Sequence, residues 1–194
     1  MLHAEPGHTA AADLLQQTSG VIADAARGRI PWPEARLTYD NARLPDALLA
    51  AGAMVGDRQM IAIGTRLLGW LFRMEMSGDH FSFTPAAGWA PGEPRPGFDQ
   101  QPIEAAAMAE ACFRAWTVTG DGVWRMRAIR AVWWLLGRND TGMVLYDRVT
   151  GATGDGLMEH SVNENQGAES TLAGIAALQI AAMCAAEGRR ATKV

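Results

Sequence analysis

An internal repeat is the feature that most constrains the fold of this chain. Gly56-Asp57 is followed by Trp70-Leu71, and 64 residues further along Gly120-Asp121 is followed by Trp134-Leu135 at the same spacing. A glycine can end a helix in the left-handed conformation, and an aspartate directly after it can cap the next helix by accepting hydrogen bonds from free N–H groups. The repeating unit is therefore predicted to be an αα-hairpin with a tight Gly-Asp turn.

The spacing of apolar residues predicts helices along most of the 194 residues, and no segment shows the alternation typical of strands. The predicted fold class is all-α, with short extended pieces confined to loops. The predicted helices span residues 9–27, 43–55, 58–75, 102–118, 122–137 and 168–187. A single helical-hairpin domain is expected at 9–188, between a flexible N-terminal tail at 1–8 and a C-terminal tail at 189–194.

The lengths of the connections predict which end of the molecule carries function. Turns of two or three residues alternate with long loops, at about 28–42, 76–101 and 138–167. If neighbouring helices are antiparallel, all three long loops lie at one end, and loops of this length are usually functional. The antiparallel αα-hairpins amount to half of an (α/α)6-type toroid. An open half-ring leaves apolar edges, so we expect a homo-oligomer or a partner that supplies the missing half.

Composition excludes several classes of function. The net charge of −4 argues against nucleic acid as a partner. No apolar run approaches the roughly 20 residues of a membrane span, and the N-terminus lacks the basic and apolar regions of a signal peptide, so we expect a cytoplasmic protein. Cys112 and Cys184 lie in alanine-rich helices and are expected to be buried free thiols. No spacing matches a metal motif, and the glycine-rich segment 151–156 lacks the Lys of a phosphate loop, so neither metal nor cofactor is predicted.

Four acidic residues at or near helix N-termini are the candidate catalytic residues: Asp40, Asp99, Glu104 and Glu169. Each could simply cap its helix and interact with the helix dipole. Gathered in one cleft, however, carboxyl groups can cleave a glycosidic bond, because one protonates the leaving oxygen while another activates water. Asp99 and Glu104 form the favoured pair, and a capping role for both stays open.

Several motifs occur in the order found in a known family. They lie at residues 37–45, 98–105, 136–140, 155–157 and 165–171. Across about 28–185 the chain resembles the C-terminal half of the all-helical α/α-toroid domain that is associated with, or fused to, bacterial and archaeal glycosyltransferases. The resemblance implies a six-hairpin-glycosidase-like fold, a carbohydrate ligand, and a role in bacterial polysaccharide or oligosaccharide metabolism. Residues 158–161 depart from the family pattern.

The long loops and these motifs contain the candidate substrate-binding residues. Trp32 and Trp89 are held in loops rich in proline and glycine, where an indole could stack on the C–H face of a sugar or pack on its own loop. The amides of Gln100 and Gln101 could bind sugar hydroxyls. The full set of candidates is Trp32, Tyr39, Asn41, Arg43, Trp89, Gln100, Gln101, Arg138, Asn139, Asp140, Asp147, Asp155, Asn165 and Gln166.

Two other functions are compatible with the sequence. One is a non-catalytic carbohydrate-binding or scaffolding module that assists a glycosyltransferase. The other is a sugar epimerase, whose chemistry needs histidines as acid and base, whereas His80 and His160 do not occupy equivalent positions in the repeat. Binding without hydrolysis distinguishes the module from a glycoside-hydrolase-like enzyme.

Overall fold

The computed structural model describes residues 8–28 and 30–191, the last four by their backbone alone, and it confirms the all-α prediction. The helices of the described residues are α1 (Thr9–Ala25), α2 (Arg43–Val55), α3 (Arg58–Glu75), α4 (Pro102–Thr119), α5 (Gly122–Leu135) and α6 (Ala168–Ala191). Four strands of two residues each form two antiparallel pairs inside the second and third long loops. They are β1 (Met76–Ser77), β2 (His80–Phe81), β3 (Gly156–Leu157) and β4 (Val162–Asn163).

The predicted helix boundaries agree with the structure to within two residues, except at the C-terminal end. There α6 continues to Ala191, so residues 189–191 of the predicted C-terminal tail are helical. At the other end His8 belongs to the fold, because its Nδ1 accepts a hydrogen bond of 3.1 Å from the Ala11 N–H. The rest of the two predicted tails, 1–7 and 192–194, lies outside the described residues.

Both Gly-Asp turns have the predicted geometry. Gly56 and Gly120 end α2 and α4 with φ angles of 73° and 75°, in the left-handed region that favours glycine. The side chains of Asp57 and Asp121 then cap α3 and α5 by accepting hydrogen bonds from N–H groups of the first turn. Each turn therefore reverses the chain, and α2–α3 and α4–α5 are the two repeated hairpins.

Polar contacts show that α2 and α4 run side by side in the same direction. Arg43 at the start of α2 forms an ion pair with Glu110, and Asp46 accepts a hydrogen bond of 2.5 Å from Arg114 Nε, further along α4. The later residue of α2, Asp46, contacts the later residue of α4, Arg114, so the two helices run parallel. Their N-termini, and the long loops that precede them, lie at the same end.

The third long loop lies at this end as well. Arg125, near the start of α5, donates a hydrogen bond of 3.1 Å to the carbonyl oxygen of Cys184, near the end of α6. Since α5 follows α4 through a tight turn, the C-terminal ends of α4 and α6 are neighbours, and the two helices are parallel. In the described residues α4 packs between α2 and α6, with α3 against α2 and α5 against both α4 and α6.

Helix α6 contains an unusually apolar stretch. Residues Ala168–Glu187 have a mean hydropathy of 1.4, so by length and composition alone this helix could cross a membrane, although no membrane span was expected from the sequence. About a third of the stretch, 33%, is buried, and Ala173, Ala177 and Cys184 pack in the core. Cys112 and Cys184 are both buried and free, as predicted.

A close contact between α6 and the third long loop leaves no room for a side chain at Gly174. A Cβ on Gly174 would overlap the hydroxyl oxygen of Thr153 and lie 3.2 Å from its Cβ. Thr153 is fully buried, and its hydroxyl has no hydrogen-bond partner among the described residues. This hydroxyl therefore contributes to the contact through its shape and not through a hydrogen bond.

We expect Gly174→Ala to lower the free energy of unfolding by about 1–3 kcal/mol, because the added methyl group overpacks the contact. Thr153→Ala removes the obstructing hydroxyl, so the double variant should regain most of this loss. Gly20→Ala is the matched control in α1, where a Cβ meets nothing within 4 Å, and it should add about 0.5–1 kcal/mol. Urea denaturation measures all four variants, and equal effects at Gly174 and Gly20 would contradict the contact.

Candidate functional site

The carboxylate of Glu104 joins two hairpins at the end where the long loops meet. Glu104 lies in the first turn of α4 and is only 3% exposed. Its Oε1 accepts a hydrogen bond of 2.5 Å from the Asp40 N–H, and its Oε2 accepts two of 3.1 Å from the N–H and Nδ2 of Asn41. Asp40 has a positive φ of 50°, and the N–H groups of two successive residues point to one carboxyl group. We call this arrangement the Glu104 clamp, because it holds the first long loop on α4.

Glu75, which is missing from the predicted site residues, is a second buried carboxylate at this end. It ends α3, and its Oε1 accepts hydrogen bonds of 3.1 and 2.8 Å from the N–H and hydroxyl of Thr84. Burial raises the pKa of Glu75 despite these hydrogen bonds, and burial together with repulsion from Glu75 raises the pKa of Glu104. Asn139 occupies the equivalent repeat position and also holds the loop that follows its helix, so the repeat was the signal that could have revealed Glu75.

A cavity of about 410 Å³ lies beside the N-terminal ends of α4 and α6 and the β3–β4 pair. We call it the acidic cavity, because Asp99, Asp155 and Glu169 line it and no Lys or Arg of the described residues does. Two predicted catalytic residues, Asp99 and Glu169, therefore share one space. Further polar residues that line the cavity are Gln101, Asn163 and Ser170.

The two predicted catalytic residues of the acidic cavity differ in their surroundings. Glu169 Oε2 accepts a hydrogen bond of 2.5 Å from the hydroxyl of Tyr39, which connects the first long loop to α6. This hydrogen bond to Glu169 raises the pKa of Tyr39 to about 12. The Asp99 carboxylate is exposed and makes no hydrogen bond or ion pair with the residues that the structure describes. Asp99 is thus the carboxylate that is free to meet a ligand.

The third carboxylate, Asp155, has a structural role within the cavity wall. Its Oδ1 accepts a hydrogen bond of 2.8 Å from the Gly167 N–H, and its Oδ2 accepts one from Asn165 Nδ2. Partial burial would raise the pKa of Asp155, but these hydrogen bonds and one from Ser170 lower it further than burial raises it. Asp155 is therefore an anion that fixes the start of α6 and still faces the cavity.

The two loop tryptophans pack on protein atoms and do not line the acidic cavity. Trp32 stacks on Trp70, with ring centroids 5.6 Å apart, and its indole N–H donates to the carbonyl oxygen of Arg36 at 3.1 Å. Trp89 is also buried, and its indole N–H donates to the carbonyl oxygen of Glu93 at 3.2 Å. In the structure both rings hold their own loops, which is the second of the two roles that the sequence left open.

Gln100 and Asn139 are buried amides whose polar atoms are engaged by the protein. Gln100 Oε1 accepts hydrogen bonds from the Phe83 N–H at 3.0 Å and from Trp134 Nε1 at 3.2 Å, and its Nε2 donates to Asp140 at 2.6 Å. Asn139 Nδ2 donates to the carbonyl oxygen of Trp134 at 2.8 Å. Neither amide is available to a ligand in this conformation, although both were candidate substrate-binding residues.

Several other candidates do not line the acidic cavity. Arg43 pairs with Asp40 at 3.1 Å and also with Glu110. Burial raises the pKa of Asp40 although Arg43 lowers it, and one carboxylate oxygen of Asp40 is buried without a partner among the described residues. Arg138 pairs with Asp79 at 3.3 Å. Asp40 belongs to the Glu104 clamp through its backbone N–H, and Arg138 lies on the surface.

The histidines that an epimerase would need lie apart from the acidic cavity. His80 belongs to the second long loop, and its Nε2 lies 2.9 Å from Oδ1 of Asp140. His160 is exposed, and its Nε2 is 4.0 Å from Glu159. Neither histidine lines the acidic cavity.

The structure divides the four candidate catalytic residues into two pairs. Asp99 and Glu169 face the acidic cavity, whereas Asp40 and Glu104 form the clamp outside its lining. The favoured pair of Asp99 and Glu104 is therefore not brought together in this cavity, because the clamp engages both oxygens of Glu104. Glu104 also makes no capping-box bond to its own helix. Asp147 and Gln166 lie in a separate cavity. Seven of the eleven residues that line the acidic cavity are missing from the predicted site residues, among them Met158, Asn163 and Ser170.

Neither a scan of protein-family models nor a search of curated proteins finds a match to this chain. Across residues 8–28 and 30–191, no group of three or more His, Cys, Asp or Glu side chains could hold a metal ion.

At pH 9, where Glu104 is ionised, we expect Glu104→Gln to lower the free energy of unfolding by about 1.5–3 kcal/mol, because the new amide sets an N–H donor against the donors of Asp40 and Asn41. Glu110→Gln is the matched control on the same helix. Glu110 is partly exposed and pairs with Arg43, so this change should cost less than about 1 kcal/mol. Urea denaturation compares the two variants, and equally small losses would show that Glu104 does not hold the loop.

The buried carboxyl pair should make the protein less stable as pH rises. A carboxyl with a folded-state pKa above its unfolded-state value binds protons more tightly when folded, so its stabilising effect is complete below the ordinary value of 4.5. That effect is lost as pH rises to the folded-state pKa, about 7 for Glu75 and about 8 for Glu104. We expect Glu75→Gln to flatten this decline and Glu110→Gln to leave it unchanged. Melting temperatures across this range measure it, and an unchanged slope in Glu75→Gln would refute the prediction.

Proposed function

We propose that this chain is a carbohydrate-active, six-hairpin-glycosidase-like domain that acts in bacterial polysaccharide or oligosaccharide metabolism, with a saccharide bound in the acidic cavity. One observation carries the proposal: Asp99 and Glu169, which precede α4 and begin α6, converge on the same cavity. Glycoside hydrolysis typically uses a pair of carboxyl groups that face one ligand.

The lining of the acidic cavity favours a neutral ligand with many hydroxyl groups. Asp99, Asp155 and Glu169 are acidic, and among the described residues no cation balances them in the lining. An anionic ligand such as a nucleotide would therefore be repelled. The carboxylates can instead accept hydrogen bonds from sugar hydroxyls, and the amides of Gln101 and Asn163 can both accept such bonds and donate them. The volume of about 410 Å³ lies within the range of small-molecule sites.

The different surroundings of the two carboxylates suggest a role for each. Tyr39 donates a hydrogen bond to Glu169, which fixes the position of this carboxylate, and we assign Glu169 as the general base. The side chain of Asp99 has no partner among the described residues and is free to approach the glycosidic oxygen, so we assign Asp99 as the general acid. Asp99 then protonates the leaving glycosidic oxygen as the bond to the anomeric carbon breaks. Glu169 takes a proton from the water whose oxygen bonds to that carbon.

A non-catalytic carbohydrate-binding module is the second candidate function. It is favoured by the Glu104 clamp, because a carboxyl group expected to act as the general acid is used to hold the first long loop. In this alternative the acidic cavity binds the same class of ligand, and no glycosidic bond is broken.

We also propose that the hairpins form half of an (α/α)6-type toroid, which a second copy or a partner completes. The parallel row of α2, α4 and α6 supports this arrangement. The first and last helices of the described residues expose apolar side chains, Leu14 and Val21 on α1 and Leu172 and Ile175 on α6. Light scattering should then give a mass above the 20.8 kDa of one chain. A monomeric mass at micromolar concentration would contradict self-association.

A glycan array followed by hydrolysis of whichever glycan binds tests the proposed function. We expect the wild-type chain to release reducing sugar, and Asp99→Asn or Glu169→Gln to slow this release by about 100-fold or more. Glu159→Gln is the matched control, since Glu159 is an exposed carboxylate of the third long loop outside the cavity lining. Its turnover should equal that of the wild type.

Each outcome of this experiment has a definite meaning. Binding without hydrolysis supports the non-catalytic module and rejects the hydrolase. Hydrolysis that is unchanged in both Asp99→Asn and Glu169→Gln rejects the assigned carboxylates. A chain that binds no saccharide at all contradicts both candidate functions.

A further inference from the structure

A second cavity lies on the other side of the β3–β4 pair from the acidic cavity. Its volume is about 780 Å³. Asp155 and Asn163 line the acidic cavity, whereas Gly154, Val162 and Glu164 line this second one. Since successive residues of an extended chain point to opposite faces, the hairpin is a wall that the two cavities share.

This shared wall is thin because Gly154 allows a close approach of the chain. A Cβ on Gly154 would lie 2.6 Å from Val162 Cγ1 and 2.8 Å from the carbonyl oxygen of Asn163. The Asp155 N–H donates a hydrogen bond of 3.1 Å to that same carbonyl oxygen. A single hairpin therefore separates the two cavities.

The second cavity combines an aromatic wall with polar groups that have no partner of their own. The partly exposed ring of Tyr146 lies beside the exposed Val144. Arg148 and Glu164 make no ion pair or hydrogen bond within the described part of the chain. Asp147 differs, because it accepts a hydrogen bond of 2.7 Å from the backbone of its own turn. The groups available to a ligand are thus an aromatic ring, a guanidinium and a carboxylate.

We infer that this second cavity is an outer subsite for the same saccharide, in which a further sugar ring stacks on Tyr146 while its hydroxyls bind Arg148 and Glu164. The inference rests on the proposed function and narrows its substrate class to a neutral oligosaccharide that crosses the β3–β4 hairpin. Apolar rings with a few polar groups around them are typical of sites that bind such amphipathic ligands. Asp147 and Glu164 together outweigh Arg148, so the lining has a net negative charge that disfavours an anionic chain and suits a neutral one.

Calorimetric titration with oligosaccharides of increasing length tests this subsite. The probes are glucose, mannose and N-acetylglucosamine oligomers of two and six units. We expect at least one series to bind more tightly as the hexamer than as the dimer. Tyr146→Ala and Arg148→Ala should each weaken hexamer binding about tenfold and leave dimer binding unchanged. Arg58→Ala, at the opposite end of the helices, is the control for loss of a surface cation.

The outcomes separate the subsite from the proposed function. Dimer and hexamer binding of equal strength, or a hexamer that binds both variants as tightly as the wild type, would overturn the subsite and leave the acidic cavity intact. Asp99→Asn should weaken dimer and hexamer alike. Failure of every probe to bind would overturn both the subsite and the proposed function. Because Arg148 is exposed, its variant keeps the test valid even if Tyr146→Ala unfolds.

Discussion

The hydrogen bonds of the Glu104 carboxylate to the backbone of Asp40 and Asn41 are the interaction on which the functional end of this molecule depends. A buried carboxylate without donors, or buried N–H groups without acceptors, would each cost several kcal/mol. Here the Glu104 carboxylate accepts hydrogen bonds from the two N–H groups, so the first long loop has one position on α4. The residue before this loop segment, Tyr39, then reaches Glu169 on α6. Three parallel helices are thereby joined at their N-terminal ends.

The acidic residues at this end divide by burial into two groups with different tasks. Glu75 and Glu104 are buried and hold loops, and their shared burial raises the pKa of both. Asp99 and Glu169 are exposed in a cavity and are available to a ligand. Because the buried carboxylates fix the loops, Asp99 and Glu169 can keep their positions in the cavity although Tyr39 is their only side-chain partner among the described residues. This division is the physical basis of the proposed carbohydrate site.

Much of the helical architecture could be predicted from the sequence, because it depends on local signals. Helix periodicity and the Gly-Asp turns specify α2 through α5 with nearly correct boundaries. The role of Glu104 could not be predicted, since its partners, Asp40 and Asn41, belong to another hairpin and no local pattern records that contact. The buried Trp89 was equally hidden, because an aromatic residue in a rigid loop has the same sequence signature whether it packs inward or faces a ligand.

Amide hydrogen exchange at Asp40 and Asn41 tests the central claim most directly. If the Glu104 clamp holds the first long loop, both N–H groups stay hydrogen-bonded to Glu104 and should exchange as slowly as amides in the core of α4. In Glu104→Gln the two amides should lose this protection, while amides in the core of α3 keep theirs. Rapid exchange of both amides in the wild-type protein, or protection that survives Glu104→Gln, would contradict the claim.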